Sequence, residues 1–166
     1  MSGVIRGLSL SVILYLAMVS ASPAQAQSLE EQRISRTLDD LHDAASKADF
    51  DRYFGLYASG AIFLGTDATE RWTRDAFMAY AKPYFDRGRG WTYVMIERHI
   101  FIAPDGATAW FDERLDNTSL GETRGSGVLV KSDGRWQVTQ YNLTIPIPNA
   151  LAGEVVARIR ARSEEG

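Results

Sequence analysis

Four groups of side chains in this sequence could move protons or grip an oxygen atom. Asp67 and Glu70 stand in a polar stretch from Gly65 to Arg71, with Trp72 beside them. A carboxylate desolvated by aromatic neighbours has a raised pKa and can act as a general base. The competing reading is a polar turn whose acids are solvated or pair with Arg71 and Arg74. Glu113 and Arg98 form the second group: such a pair orients a polar substrate or activates water, or serves as a buried structural ion pair. Gln140 and Asn142 could hold a ligand carbonyl or hydroxyl, or satisfy helix ends and backbone. Tyr57, Tyr80 and Tyr84 could donate to an oxygen that gains charge, or sit in the core with a wet hydroxyl.

Other chemistries are absent. The chain has no cysteine, which excludes thiol catalysis and Cys-metal sites. Its two histidines, His42 and His99, stand alone without ligand spacing, so no metal is expected. There is no G-x-S-x-G elbow, and Ser126 lies between glycines with no base in view. Arg124-Gly-Ser-Gly lies in a strand pattern and opens no helix, so it is not a phosphate loop. No cofactor is expected. A formal net charge of −3 without a basic block argues against nucleic acid and anionic membrane as partners.

The elements that must position these groups follow from periodicity. Arg6, the apolar run Leu8–Val19 and the triplet Ala24-Gln25-Ala26 read as a signal peptide, residues 1–26, cleaved after Ala26. The mature chain is then periplasmic or secreted and forms one domain. Ser28 and Glu31 make a capping box for a helix over 29–47, with Ile34, Leu38, Leu41, Ala45 and Ala48 at helical spacing. Asp49 caps a short second helix. Residues 61–64 form a strand, and Thr73 caps a third helix that Pro83 should kink or end early. Four antiparallel strands are expected over 91–103, 107–116, 123–131 and 135–145. A C-terminal helix begins at Asn149, and a charged tail frays from Arg158. Helices followed by a long sheet make an α+β domain.

Two turns set the registers. Asp105-Gly106 as a two-residue turn places Arg98 opposite Glu113, His99 opposite Asp112 and Glu97 opposite Arg114, three complementary pairs. The face holding Arg98 and Glu113 also holds Val94, Ile96, Ile100, Ile102, Ala109, Phe111 and Leu115. It is the more apolar face and is assigned to the interior. His99, Asp112, Phe101 and Trp110 then face outward. Asp133-Gly134 places Gly127 opposite Gln140 and Gly125 opposite Asn142. Residues without side chains opposite two amides leave room for a pocket wall. Trp136, Val138, Gln140 and Asn142 share its face, and Tyr141 joins Phe101 and Trp110 outside.

Four segments carry a family resemblance: Phe63-Leu-Gly-Thr-Asp-Ala-Thr-Glu-Arg-Trp72, Ala109-Trp-Phe-Asp-Glu113, Arg124-Gly-Ser-Gly127 and Gln140-Tyr-Asn-Leu-Thr-Ile-Pro-Ile-Pro-Asn149. Over about residues 29–149 the chain resembles the SnoaL-like exported proteins of the nuclear transport factor 2-like superfamily. That resemblance implies a cone, with N-terminal helices packed in a curved antiparallel sheet, a SnoaL-like domain over 27–149 and an added C-terminal helix over 150–166. It also implies a homodimer through the outer sheet face and a pocket for a small, largely apolar ligand. Isomerases, dehydratases and hydrolases without cofactor occur in the superfamily beside binding proteins, so the fold alone names no activity. Asp67, Glu70 and Glu113 are then the catalytic candidates. Tyr57, Trp72, Tyr84, Arg98, Gln140 and Asn142 are the ligand-binding ones. The alternative is a non-catalytic association module whose cone is filled by its own aromatics.

Overall fold

The computed structural model describes residues 23–164. The amino-terminal leader reading therefore lies mostly outside the described residues. Helix α1 spans Pro23–Ser46, α2 Phe50–Gly55 and α3 Arg74–Phe85. Strands are β1 Tyr57–Leu64, β2 Arg71–Thr73, β3 Val94–Ile102, β4 Thr108–Asn117, β5 Gly121–Ser132 and β6 Arg135–Thr144, and α4 covers Asn149–Glu164. The strands form one six-stranded sheet ordered β2-β1-β6-β5-β4-β3. All neighbours are antiparallel except β1 and β6, which run parallel. This is a mixed α+β cone with helices inside the curve of the sheet.

Local chemistry explains most boundaries. Asp49 accepts from the Arg52 backbone N–H at the start of α2, and Thr73 Oγ1 accepts from Ala76 N at the start of α3. Pro83 does not stop α3 at once; the helix runs two residues further, to Phe85. The proline ring thus falls in the last turn. The expected capping box at Ser28 is not formed, because α1 begins upstream at Pro23, a residue suited to a first helical turn. The expected frayed tail is likewise helical through Glu164. An i,i+4 pair, Arg158 Nη2 to Glu154 Oε1 at 2.8 Å, lies on it. α4 stands off the cone, with Leu151, Val156 and Ile159 exposed.

The core lies between α1–α3 and the inner sheet face. Ile34, Leu38, Leu41 and Ala45 recur along α1 and are buried. They face Ala109, Phe111, Leu115, Leu129 and Val138, with Tyr53, Phe54, Phe77 and Phe85 completing the core. Each large side chain so buried stabilises the fold by about 1.5–3 kcal/mol.

The β3–β4 register puts Arg98 opposite Glu113, His99 opposite Asp112 and Glu97 opposite Arg114, as expected. It breaks at Ile96, where an extra residue bulges. Val94 therefore pairs with Asp116 and is exposed, as is Ile96; neither joins the interior. The β5–β6 hairpin starts in the expected register, then shifts between Val128 and Leu129 because Thr139 is inserted opposite them. Beyond that bulge Gly127 faces Tyr141 and Gly125 faces Leu143. A slip of one residue reverses every side chain. Tyr141 and Leu143 thus point inward, whereas Gln140 and Asn142 lie on the opposite, outer face.

Gly127 sits where this bulge closes on β5: a Cβ there would strike the Gln140 carbonyl oxygen and lie 3.0 Å from Phe111 Cε1. Gly127→Ala should cost roughly 1–3 kcal/mol of overpacking, read from urea unfolding. Gly55→Ala, where a Cβ meets open space, should cost nothing. Equal stability of the two variants would remove the bulge from this account.

Candidate active site

Glu113 is the centre of the interior polar chemistry. Its side chain is 0% exposed on the apolar face of β4. His42 reaches it from α1 with Nε2 2.8 Å from Oε1. The Tyr141 hydroxyl, from β6, donates to the same oxygen at 2.8 Å. Arg98 Nε, from β3, donates to Oε2 at 2.7 Å. Arg98 then ties this group to α1, through Ser35 and Asp39, with Nη1 2.7 Å from Asp39 Oδ1. Gly125 makes the arrangement possible. A Cβ there would collide with the Tyr141 hydroxyl and come within 2.9 Å of Glu113 Oε1.

Protonation states follow from the partners. Burial pushes the Glu113 carboxyl up, but the His42 hydrogen bond and charge, with the Arg98 guanidinium, outweigh it. The carboxyl ends below its ordinary value and is ionised at neutral pH. An ionised carboxylate only accepts, so all three neighbours donate. His42 therefore carries its proton on Nε2, and its Nδ1 has no hydrogen-bond partner among the described residues. Burial, and then the Glu113 charge, raise the Tyr141 hydroxyl well above its usual pKa, so it stays protonated.

His42 and Tyr141 line a cavity of about 190 Å³. A void of roughly 150 Å³ suffices for a benzene ring. Its walls include Leu41, Phe63, Phe77, Trp91 and Tyr93, and Glu70, Trp72 and Tyr80 also line it. Phe63 stacks on Phe77 at a centroid distance of 4.0 Å, and Trp91 stacks on the same ring at 5.7 Å. Tyr53 lines the cavity too, its hydroxyl 3.0 Å from that of buried Tyr57.

The residues singled out in the sequence are dispersed. Glu70 and Trp72 line the cavity, and Glu113 with Arg98 lies behind His42 and Tyr141. Tyr57 touches the cavity only through Tyr53, and Tyr84 is absent from the lining, packed on Tyr80 at 5.4 Å. Gln140 and Asn142 are outside because of the Thr139 bulge. Asp67 is in an exposed loop, where its Oδ1 accepts from Thr69 N at 2.8 Å and Thr69 Oγ1 at 2.6 Å. Those bonds lower its pKa, the opposite of what aromatic desolvation would do.

Sequence reasoning passed over His42 and placed Tyr141 outside. One signal for His42 was present. Glu113 interrupts the apolar alternation Ala109, Phe111, Leu115, and so needs donors from the facing helix; His42 flanks the Leu38–Leu41–Ala45 stripe of that helix. Tyr141 is betrayed by the spacing of Trp136, Val138, Tyr141 and Leu143, whose single three-residue step marks a bulge. Among the described residues no cluster of three or more His, Asp or Glu is placed to hold a metal.

Comparisons with known proteins agree with this fold. A family model described as a SnoaL-like domain matches residues 34–148. A search of curated proteins returned no significant match. Among solved structures, a Mycobacterium tuberculosis protein of unknown function superposes with a TM-score of 0.65 at 18% identity, covering 80% of each chain. A candidate scytalone dehydratase from Novosphingobium aromaticivorans gives 0.62 at 15% identity, over 75% of this chain and 89% of that one. A candidate dehydratase of the nuclear transport factor 2-like family from Streptomyces avermitilis gives 0.64 at 9% identity, over 74% and 99%.

The depressed Glu113 pKa fixes a pH signature. Its contribution to stability is complete above the unfolded value of about 4.3 and is lost as pH falls through the lower folded value. Glu113→Gln takes the buried carboxylate away from Arg98 Nε, leaving Asp39 as its ion-pair partner among the described residues, and should cost about 3–5 kcal/mol near neutrality. The gap from wild type should then shrink below about pH 4.5. Denaturant melts across pH 3–7 check this. A gap independent of pH would show that Glu113 is not the ionised group described.

Proposed function

Because the chain belongs to the SnoaL-like domain family, we propose that its cone is the binding site of a small, largely apolar ligand and that His42 is a general base acting on it. The observation that carries this reading is the His42–Glu113 pair. It opens on an aromatic cavity, with Nδ1 unpartnered among the described residues. With its far nitrogen donating to a buried carboxylate, the unprotonated form of the imidazole is held in one tautomer, and the imidazolium formed on proton uptake is stabilised by that carboxylate.

The chemistry that suits this arrangement is proton transfer next to a carbonyl. His42 Nδ1 takes a proton from the carbon beside the carbonyl, and the carbonyl oxygen gains charge. Tyr53 or Tyr93, whose hydroxyls burial keeps protonated, donates to that oxygen. Returning the proton to a different carbon completes an isomerisation. If instead the β-carbon carries a hydroxyl, its C–O bond breaks and the oxygen leaves as water with the proton from His42. Two solved structures of similar fold described as candidate dehydratases favour the second outcome. Catalysis resides in side chains, and no cofactor is invoked. The open cavity disfavours the alternative of a cone filled by its own aromatics.

The same reading places the protein outside the cytoplasm as an exported homodimer. The leader over 1–26 supports export. For the dimer, Phe101 and Trp110 stack at 5.7 Å on the outer sheet face and are each 47% exposed. Val94 and Ile96, turned out by the β3 bulge, add exposed apolar surface further along the strand, beyond Glu97 and His99.

Two measurements test this. In D₂O, aryl ketones and β-hydroxy aryl ketones should show α-proton exchange or water loss with the purified protein, followed by NMR. His42→Gln, whose side-chain amide can still donate to Glu113 Oε1, should lower the rate about 10²–10⁴-fold in a protein that still folds, checked by a cooperative melt. Equal rates for the two proteins would remove His42 as the base. By sedimentation, the wild type should be a dimer and Trp110→Lys a monomer; a wild-type monomer would refute the assembly.

A further inference from the structure

The cavity has a charge character that its apolar walls conceal. None of its lining residues is Lys or Arg. Among the described residues Glu70 is the one acidic residue of the lining, and no ion pair there neutralises its carboxylate. Glu70 is met by a backbone group: Asp67 N–H donates to its Oε2 at 3.2 Å. No arginine pairs with it among the described residues. Arg74, a neighbour in sequence, instead donates to the Phe54 carbonyl at 3.1 and 3.3 Å and lies 3.8 Å from Asp75. Gly65 lets the Glu70 side chain lie where it does, because a Cβ there would overlap it.

Around Glu70 the rings are arranged to favour positive charge. Trp72 and Tyr80 line the same cavity with centroids 5.0 Å apart and planes tilted by 40°. Tyr53, Phe63, Phe77, Trp91 and Tyr93 continue the aromatic wall inward. Aromatic faces carry the negative part of the ring quadrupole and attract ammonium groups. Burial raises the Tyr80 hydroxyl pKa most, Tyr84 raises it next, and the Glu70 carboxylate adds the smallest upward push. A carboxylate, several aromatic rings and no lysine or arginine among the described lining residues, with His42 as the proton-accepting base at the inner end, together make a site whose mouth attracts a cation and repels an anion.

We propose that the ligand of this cavity carries an ammonium group, a protonated tertiary amine or quaternary nitrogen, on an apolar ring, with the nitrogen between Glu70, Trp72 and Tyr80. The proposal rests on reading the cone as a ligand pocket and adds the chemical class of what enters it. Glu70, a base candidate in the sequence, becomes a binding residue. His42 keeps the proton chemistry, so the ammonium end and the reacting end of the ligand meet different groups.

Three probes of similar size separate the outcomes: phenyltrimethylammonium, its uncharged carbon analogue tert-butylbenzene, and benzoate. Tryptophan fluorescence reads binding, since Trp72 and Trp91 line the site. The cation should bind about tenfold tighter than tert-butylbenzene, and benzoate more weakly than either. Glu70→Gln keeps an oxygen to accept from Asp67 N–H, so the loop should stay folded, checked by an unchanged melting temperature. That variant should lose most of the cation preference while binding tert-butylbenzene as before. Equal binding of cation and carbon analogue, or tighter benzoate, would overturn the ammonium assignment and leave the pocket standing. Failure of all three probes would overturn the pocket reading as well.

Discussion

The structure turns on one carboxylate taken out of water. Moving Glu113 into the core costs several kcal/mol unless its oxygens are met by donors in good geometry. Those donors come from three elements other than its own: His42 from α1, Arg98 from β3 and Tyr141 from β6. The charge is thus a point at which helix and sheet are held in register. Arg98 extends the hold through Ser35 and Asp39 along α1. An apolar residue in place of Glu113 could fill the volume, but the link from His42 through the carboxylate to β3 and β6 would be lost, leaving Glu30 with Lys131 and Trp136, and Arg98 with Ser35 and Asp39, as the polar ties of α1 to the sheet.

That requirement also decides the chemistry. A carboxylate saturated with donors is a poor base itself, since its lone pairs are occupied and its pKa lies low. Its influence passes to His42, which it holds in one tautomer with Nδ1 free of partners among the described residues. The structural role and the chemical role therefore belong to the same contact. Gly125 is the backbone counterpart: any side chain there would push Tyr141 and Glu113 apart.

Much of this was legible in the sequence. The α+β order and the Asp49 and Thr73 caps were readable from local patterns, and so was the β3–β4 register that pairs Arg98 with Glu113. Such features depend on neighbours in sequence or on one tight turn. The failures have a different origin. Thr139 adds one residue to β6, and a rule of strict alternation sent Gln140 and Asn142 inward and Tyr141 outward. His42 and Glu113 are 71 residues apart, so no local spacing joins them. Only the demand of a buried charge for donors links the two positions. Asp67 misled for a local reason: beside Trp72 in sequence it looks desolvated, yet the Thr69 hydrogen bonds tie it into an exposed turn.

The two bulges explain why the cone has an inside suited to chemistry. In an unbroken β6, the residues after Val138 would continue its phase, and an amide would face Glu113 where Tyr141 now stands. The inserted Thr139 exchanges that amide for a phenol, a donor whose ring also stacks on Phe63 at 6.0 Å and so belongs to the aromatic wall. One residue thereby serves the buried charge with its hydroxyl and the ligand cavity with its ring. The Ile96 bulge acts on the other side, turning Val94 and Ile96 out of the core and onto the surface. Bulges re-aim side chains without changing strand order. The fold is therefore set by alternation, whereas the site depends on where alternation is interrupted.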